Sequence, residues 1–417
     1  MGSENYAANL RFAKHPALFS LAEIAIIGMV IVVLMTFYLP PLVFRWLTTK
    51  KGSDREVPIT IERIVYSLWA ISFFLFFSLT IFGPYALFHT VFLSKSRRCR
   101  SFFHKILQLA SRFVIYRVPG VEFKYINNVQ ETLTTPSVII CNHQSHLDVM
   151  CILMMSPKIV ILTNDWVWKN PFYGSIIRAA EFYPISDGMD KNIVRLRTLV
   201  SRGYSVVVFP EGTRTNNRSI MHFHQGAFAL AKELKVDILP LMIHGLSEVL
   251  PKHDFMLRRG RITLEVFKRM HFSELDSYTN RELTMYWHKW YEIQYEQMCH
   301  REEDIFYWLP YIKYCYLYKS YGVERNSKKA ILDIINNPSH LSQYLRSDDT
   351  IVVNKSGQGE KALLLALLNP NKKVFGYEQD PELFLISRNL SRKPKNLLYI
   401  NRYESQMNYE QESCNNR

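Results

Sequence analysis

The sequence is poor in anything that would hold a metal or a disulfide. Its six cysteines (Cys99, Cys141, Cys151, Cys299, Cys315 and Cys414) are scattered, with no CxxC pair and no metal-ligand spacing. That excludes a cysteine metal site and reads as free thiols in a reducing compartment. Negative charge is also short: 37 Asp and Glu face 51 Lys and Arg, a formal net charge of +14. Such an excess favours anionic partners, whether nucleic acid, phospholipid or phosphorylated metabolites. No internal repeat is present, and no low-complexity tract beyond the polar tail, which excludes a repeat architecture. There is no nucleic-acid recognition motif either, so no nucleic-acid partner is expected.

Apolar sequence is abundant. At 417 residues and 48% apolar, the chain can build two or three domains and still supply membrane segments. Residues 18–38, LFSLAEIAIIGMVIVVLMTFY, form a run of spanning length with one carboxylate, Glu23, near its start. No small-residue cleavage site follows it; Pro40 and Pro41 do, so a transmembrane helix is expected rather than a signal peptide. A polar loop rich in Lys and Arg leads to a second apolar stretch, 64–93, interrupted at Gly83-Pro84 and followed by the basic KSRRCR at 95–100. Positive clusters prefer the cytoplasmic side. With both flanks basic, the expectation is two half-segments hinged at Gly83-Pro84 that dip in and return; an ordinary second span is the alternative.

From about 101 to 300, short apolar runs (SVIIC, KIVIL, SVVVF, DILPLMI) alternate with helical stretches such as HQGAFALAKEL, the pattern of an α/β domain. Residues 281–318 are helical in pattern and very aromatic, which suits packing against that domain better than an aromatic belt at lipid. A second α/β pattern follows: strands TIVVN, KVFGYE and NLLYIN, with helices KALLLALLN and DPELFLISRNL between them. The fold class expected is therefore α/β, in four parts. These are membrane-anchoring helices over 1–100, a mixed α/β domain with its aromatic extension over 101–318, a small Rossmann-like unit over 319–402, and a disordered polar tail over 403–417.

The chemistry concentrates at two strand ends. SVIIC runs into Asn142 and His143, with Asp148 five residues beyond the histidine; SVVVF runs into FPEGTR, residues 209–214. Ligand sites in α/β folds commonly lie outside strand C-termini, so the two blocks could share one edge of the sheet. His143 suits a general base, with Asp148 fixing its tautomer and stabilising the imidazolium, the logic of a triad whose nucleophile is the substrate's own oxygen. The plainer alternative is a polar turn capping the following helix.

NHQSHLD, FPEGTR and the later ILPLMIHG at 238–245 with Pro240 resemble, in order and spacing, the HX4D, FPEGTR and proline-strand blocks of the glycerolipid (1-acyl-glycerol-3-phosphate and lysophospholipid) acyltransferases. The resemblance covers roughly residues 100–290. It implies an acyltransferase-type domain in a membrane-bound enzyme that moves a fatty acyl group from acyl-CoA or acyl carrier protein to a lipid hydroxyl. No cofactor or metal is required. By that resemblance His143 is the base and Asp148 its partner. Asn142 and Ser145 position the histidine loop, Glu211, Gly212 and Thr213 shape the acceptor pocket, and Arg214 grips an acceptor phosphate. His146 reads as structural. One departure stands out: between the blocks, Ser186 falls where the family places an arginine, with Arg178 and Lys191 nearby and their part in replacing it open. The lysine expected after FPEGTR is replaced by His224-Gln225. The acceptor therefore stays open between lysophosphatidate and a lipid without phosphate. His222 and His224 read as packed or solvated side chains, not a metal pair.

In the C-terminal part, Gly357 and Gly359 follow a strand, and Glu378 ends the next. This resembles the first half of a class I methyltransferase, with the glycines admitting S-adenosylmethionine and the carboxylate taking ribose hydroxyls. Asn354 and Lys355 replace the usual first-strand acid, so a truncated unit with a doubtful cofactor site is expected. The N-terminal helix resembles the last membrane helix of bacterial lipid exporters. Together these imply a bacterial inner-membrane protein with its catalytic domain in the cytoplasm. Its expected partners are membrane lipids, with acyl carrier protein and lipid-exporter subunits as candidates. Two other functions compete: thioester hydrolysis, and a non-catalytic lipid-binding role in an export assembly.

Overall fold

A computed structural model describes residues 16–50, 53–55, 57–88, 97–170, 174–215, 218–342, 344, 349–390 and 393–401. The expected tail, 403–417, Cys414 and the end of the second apolar stretch lie outside them. The five described cysteines are free. The chain divides into two compact units, residues 61–310 and residues 1–60 with 311–417.

In the second of these, the first apolar run forms helix α1, Pro16–Thr48, which continues through Pro40 and Pro41. Near its end Phe44 packs edge-on against Tyr318, ring centroids 6.4 Å apart. The Tyr318 hydroxyl donates to the Ile59 carbonyl at 2.9 Å.

The 61–310 unit begins with the second apolar stretch, and here the hinge expectation is overturned. Helix α2, Ile61–Phe77, runs on through a π-helical turn, Ser78–Phe82, into Gly83–Phe88 without reversing. Pro84 has no N–H, and the chain absorbs it by widening one turn: the Gly83 amide reaches back five residues to the Ser78 carbonyl. A Cβ at Gly83 would lie 2.7 Å from that oxygen, so the glycine is needed for the widened turn and not for a bend.

One face of α2 lies on the globular residues that follow. Arg63, 1% exposed, pairs with Asp254 at 2.7 Å. Ser67 Oγ accepts the Leu257 amide at 3.0 Å. Phe73 stacks on Phe113 at 5.0 Å and Tyr85 on Phe103 at 4.6 Å. The opposite face exposes Ile61, Val65, Leu68, Ile71, Leu75 and Leu79. Two helical runs, Ser20–Thr48 within α1 and the continuous Ile61–Tyr85 that α2 begins, are long and apolar enough to cross a membrane, with mean hydropathies of 2.4 and 2.0. The boundary expected at residue 100 instead cuts helix α3, Arg97–Arg117, and α2 belongs with the globular unit it packs on.

Seven strands build that unit's sheet: β1 Val121–Ile126, β2 Ser137–Cys141, β3 Ile159–Thr163, β4 Tyr183–Pro184, β5 Ser205–Val208, β6 Asp237–His244 and β7 Gly260–Val266. Their order is β1-β7-β6-β2-β5-β3-β4, and every pair is parallel except β6–β7. The central strands are apolar throughout because both faces are covered; all five residues of β2 are buried. Covering helices include α4, Leu147–Leu153, α5, Gly174–Ala179, α6, Met189–Val200, and α7, Gly226–Leu234. The short α8, Leu246–Val249, follows β6. The aromatic segment forms α9, Asn280–Glu302, opened by a Thr279–Glu282 capping box, and α10, Ile305–Cys315. Trp287, Tyr291 and Tyr295 of α9 are buried, the domain-packing alternative of the two considered. The Tyr291 hydroxyl lies 2.8 Å from the Ile140 carbonyl and 2.9 Å from that of Leu241, tying α9 to β2 and β6.

After α11, Tyr321–Asn336, three parallel strands follow in order: β8 Thr350–Asn354, β9 Lys373–Glu378 and β10 Leu397–Asn401. Helices α12, Glu360–Leu368, and α13, Pro381–Arg388, make the crossovers, giving the small Rossmann-like pattern expected.

Candidate active site

Strands β2 and β5 are adjacent and parallel, with Ile140 opposite Val208 in register. Their C-terminal ends therefore deliver His143 and Phe209–Arg214 to the same edge of the sheet. Asn142, 1% exposed, leaves β2 by pairing sideways with β6. Its Nδ2 donates to the Ile243 carbonyl and its Oδ1 accepts the Ile243 amide, both at 2.8 Å. The side chain thus acts as one more rung of the ladder and fixes where the histidine loop starts.

Three donors converge on a single oxygen of the fully buried Asp148. His143 Nδ1 lies 2.7 Å from Oδ2, the Gln144 amide 2.6 Å and the Ser145 amide 2.8 Å. The two amides hold the carboxylate still, and the carboxylate holds the ring. With Nδ1–H pointed at Asp148, the free nitrogen of His143 is Nε2, the one a base needs. The ring also stacks on Phe209, centroids 4.1 Å apart, so the FPEGTR block supplies a wall of the histidine's slot.

Glu211 does something the sequence reading missed. It is 3% exposed, and its Oε1 accepts the His143 amide at 2.8 Å while Oε2 accepts the Met221 amide at 3.1 Å. It thus bonds the backbone of the histidine loop. Burial pushes its carboxyl up to about 8, against the pull of those two amides. The Thr215 amide donates to the His143 carbonyl at 2.8 Å, a second tie between the blocks. Gly212 has φ +66°, and a Cβ there would lie 3.1 Å from the His224 ring. The rings of His222 and His224 are 5.8 Å apart.

Ser145 Oγ donates to the Leu250 carbonyl at 2.8 Å, fastening the segment after α8 to the histidine loop. Gln144 was also missed. Its Oε1 accepts the Leu246 amide at 3.1 Å and its Nε2 donates to the Tyr295 hydroxyl at 2.7 Å. Arg214 lies near Asp148 and His146, and burial lowers its pKa. Among the described residues its guanidinium hydrogen-bonds to none, leaving a fork free for an anion. His146 is exposed on the rim, 6.3 Å from the Trp166 ring. Ser186 hydrogen-bonds Asp165.

A second polar cluster lies at the end of β6. His244, Cys299 and Glu303 place ligand-type atoms within 4.8 Å of one another. Glu303 is paired with Arg218 as well as His244, and a guanidinium in that position repels a metal ion.

In the C-terminal unit, Gly357, Gly359 and Glu378 do come together. Glu378 is 6% exposed, and its Oε2 accepts the Gly357 amide at 2.6 Å while Oε1 accepts the amides of Gln379 at 2.8 Å and Asp380 at 3.1 Å. Gly359 has φ +97°, and a Cβ there would fall 2.5 Å from the Tyr399 hydroxyl oxygen. The carboxylate expected on ribose hydroxyls is thus spent on its own turn, and Gly359 on close packing. These residues do not fit S-adenosylmethionine in the expected roles.

The seven-stranded sheet holds the His143–Asp148 pair and FPEGTR at one edge, within a stretch that matches known proteins. Residues 120–244 match the protein-family model described as Acyltransferase. The chain is 26% identical over 186 residues to the chloroplastic 1-acyl-sn-glycerol-3-phosphate acyltransferase LPAT1 of Arabidopsis thaliana, covering 43% of this chain and 52% of that protein. It is 28% identical over 137 residues to 1-acyl-sn-glycerol-3-phosphate acyltransferase alpha of Bos taurus, covering 31% and 48%. The chain spans about half the length of these curated relatives. Among solved structures, the 1-acyl-sn-glycerophosphate acyltransferase PlsC of Thermotoga maritima aligns with a TM-score of 0.48 at 18% identity, over 57% of this chain and 97% of that one. Residues 120–244 thus carry an Acyltransferase-type domain, similar in sequence to proteins named as 1-acyl-sn-glycerol-3-phosphate acyltransferases.

Proposed function

We propose that the protein transfers a fatty acyl group from a thioester, acyl-CoA or acyl carrier protein, to the free hydroxyl of lysophosphatidate (1-acyl-sn-glycerol 3-phosphate). The observation that carries this reading is the His143–Asp148 contact at 2.7 Å with Arg214 free beside it. The names of the relatives favour the phosphorylated acceptor over a neutral one.

The His143–Asp148 contact supports the following steps. His143 Nε2 takes the proton of the acceptor hydroxyl while Asp148 stabilises the imidazolium. The acceptor oxygen attacks the thioester carbonyl, forming the new C–O bond. The tetrahedral adduct collapses, the C–S bond breaks, and the imidazolium returns its proton to the departing thiolate. Arg214 holds the acceptor phosphate. We further infer a membrane location. It is supported by α1, by the exposed apolar face of α2 and by the +14 charge, which suits an anionic cytoplasmic leaflet of the inner membrane.

The test is transfer of labelled acyl groups from acyl-CoA and from acyl carrier protein in membranes carrying the protein. Lysophosphatidate and total lipid extract are the acceptors, with His143→Ala run beside it. Label on phosphatidate that vanishes in the variant is the expected result. His143-dependent release of free fatty acid alone would mean a hydrolase, and no His143-dependent label at all would leave a lipid-binding role.

A further inference from the structure

We propose that Lys252 is a second cation for the acceptor phosphate, acting beside Arg214; this rests on the acyltransferase reading above. A phosphate monoester carries about −1.5 to −2 charge at neutral pH and three terminal oxygens, more than one guanidinium neutralises. The place where the family resemblance expects the second cation holds Ser186, which is bonded to Asp165.

The other cations of this region are engaged. Arg178 donates to the Trp168 carbonyl at 2.8 Å and lies over that residue's ring. Lys191 and Arg195 both pair with Asp187. Arg218, four residues past Arg214, is held by Glu303 and Glu248.

Lys252, like Arg178, meets no carboxylate among the described residues, but it is bonded to the FPEGTR turn itself. It lies on the segment after α8, which Gln144 and Ser145 fasten to the histidine loop. Two residues further on, Asp254 is fixed by Arg63 at 2.7 Å and Arg258 at 3.1 Å, so the segment is anchored at both ends. The Lys252 ammonium donates to Thr213 Oγ1 at 3.1 Å and to the Arg214 carbonyl at 2.8 Å. Both acceptors are neutral, and among the described residues no carboxylate pairs with it. One of its three N–H donors is unspent and its charge is uncompensated. The FPEGTR turn therefore carries two cations with no salt-bridge partner among the described residues, one on Arg214 itself and one bonded to that residue's backbone. The Thr215 amide ties this turn to the His143 carbonyl.

A competing role is mechanical: Lys252 could pin the turn without touching phosphate. Binding separates the two. The full chain carrying His143→Ala, which holds ligand without turnover, is titrated in mixed micelles with labelled lysophosphatidate and with monoacylglycerol of the same acyl chain. Adding Lys252→Ala is expected to weaken lysophosphatidate about 10-fold or more, the range for a charge-assisted hydrogen bond, and monoacylglycerol less than twofold. Lys252→Arg is expected to restore lysophosphatidate to within about threefold. Equal losses for both lipids, or no loss for lysophosphatidate, would overturn the proposal. These binding results stand without catalysis. Failure of the acyltransferase reading shows separately, as absence of His143-dependent label on any lipid with otherwise native protein.

Discussion

Replacing Asp148 by asparagine is the sharpest test of the proposed His143–Asp148 pair, because the structure dictates how the new amide must sit. His143 Nδ1, Gln144 N and Ser145 N all point at the same oxygen. An amide nitrogen placed there would face two backbone N–H groups, so the asparagine must keep its oxygen in that position. Ring orientation and tautomer then survive, and what is lost is the negative charge. At an effective dielectric constant of about 20 and a charge separation of about 4 Å, imidazolium and carboxylate attract by about 4 kcal/mol. Losing that attraction in the transition state corresponds to a fall of about 10³-fold in kcat, within the range assigned to general base catalysis. The three hydrogen bonds also drop from charged to neutral strength, at about 1 kcal/mol each, so stability falls by about 3 kcal/mol. The assay is acyl transfer at saturating acceptor, with thermal unfolding measured on the same samples. The double variant with His143→Ala should be no slower than His143→Ala alone, because the two residues act as one unit. A kcat for Asp148→Asn within about tenfold of the native value would refute the assignment of Asp148.

Other expectations follow from the same contacts. Burial raises the Glu211 carboxyl from 4.5 to about 8, so its neutral form is favoured in the folded chain. The stability this contributes is complete below pH 4.5 and is lost as pH rises to about 8. Glu211→Gln cannot ionise and should flatten that slope in unfolding midpoints, though its baseline falls because an amide nitrogen then meets a backbone donor. Asn142→Ala strips the partners from both the amide and the carbonyl of buried Ile243. It should cost about 2–6 kcal/mol in chemical denaturation and loosen the histidine loop with it. Gly359→Ala must clear the Tyr399 hydroxyl at a φ that side chains avoid. Proteolysis should then open the C-terminal unit first, while His143-dependent transfer persists.

Much of this was legible in the sequence for a physical reason. Central strands of a parallel sheet are apolar on both faces, so SVIIC and SVVVF stand out as unbroken runs, and the polar residues that end them mark the site edge. His143 and Asp148 were readable because they are five residues apart and meet directly. What was hidden depends on long loops. Asn142 pairs with a residue 101 positions away, and Glu211 with an amide 68 positions earlier. Lys252 is 38 residues beyond the turn it bonds. Gln144 and Lys252 belong to residue types common on any surface, so composition offers no signal for them. The Gly83-Pro84 pair misled because the same dipeptide that breaks a chain can be absorbed by widening one helical turn.

The seating of α2 has a practical consequence for dissecting the protein. Composition invites a cut near residue 100, discarding both apolar helices to obtain a tractable catalytic piece. Such a cut would remove Arg63 from Asp254, take Tyr66 from its place over Gly120, and strip Phe113 and Phe103 of the rings stacked on them. The loop that carries Lys252 would lose one of the two arginines that fix Asp254. The smallest piece that keeps its own interior therefore starts at Ile61, and it brings an oily outer surface with it. Residues 61–310 are thus expected to need detergent or lipid in solution, even after α1 has been removed.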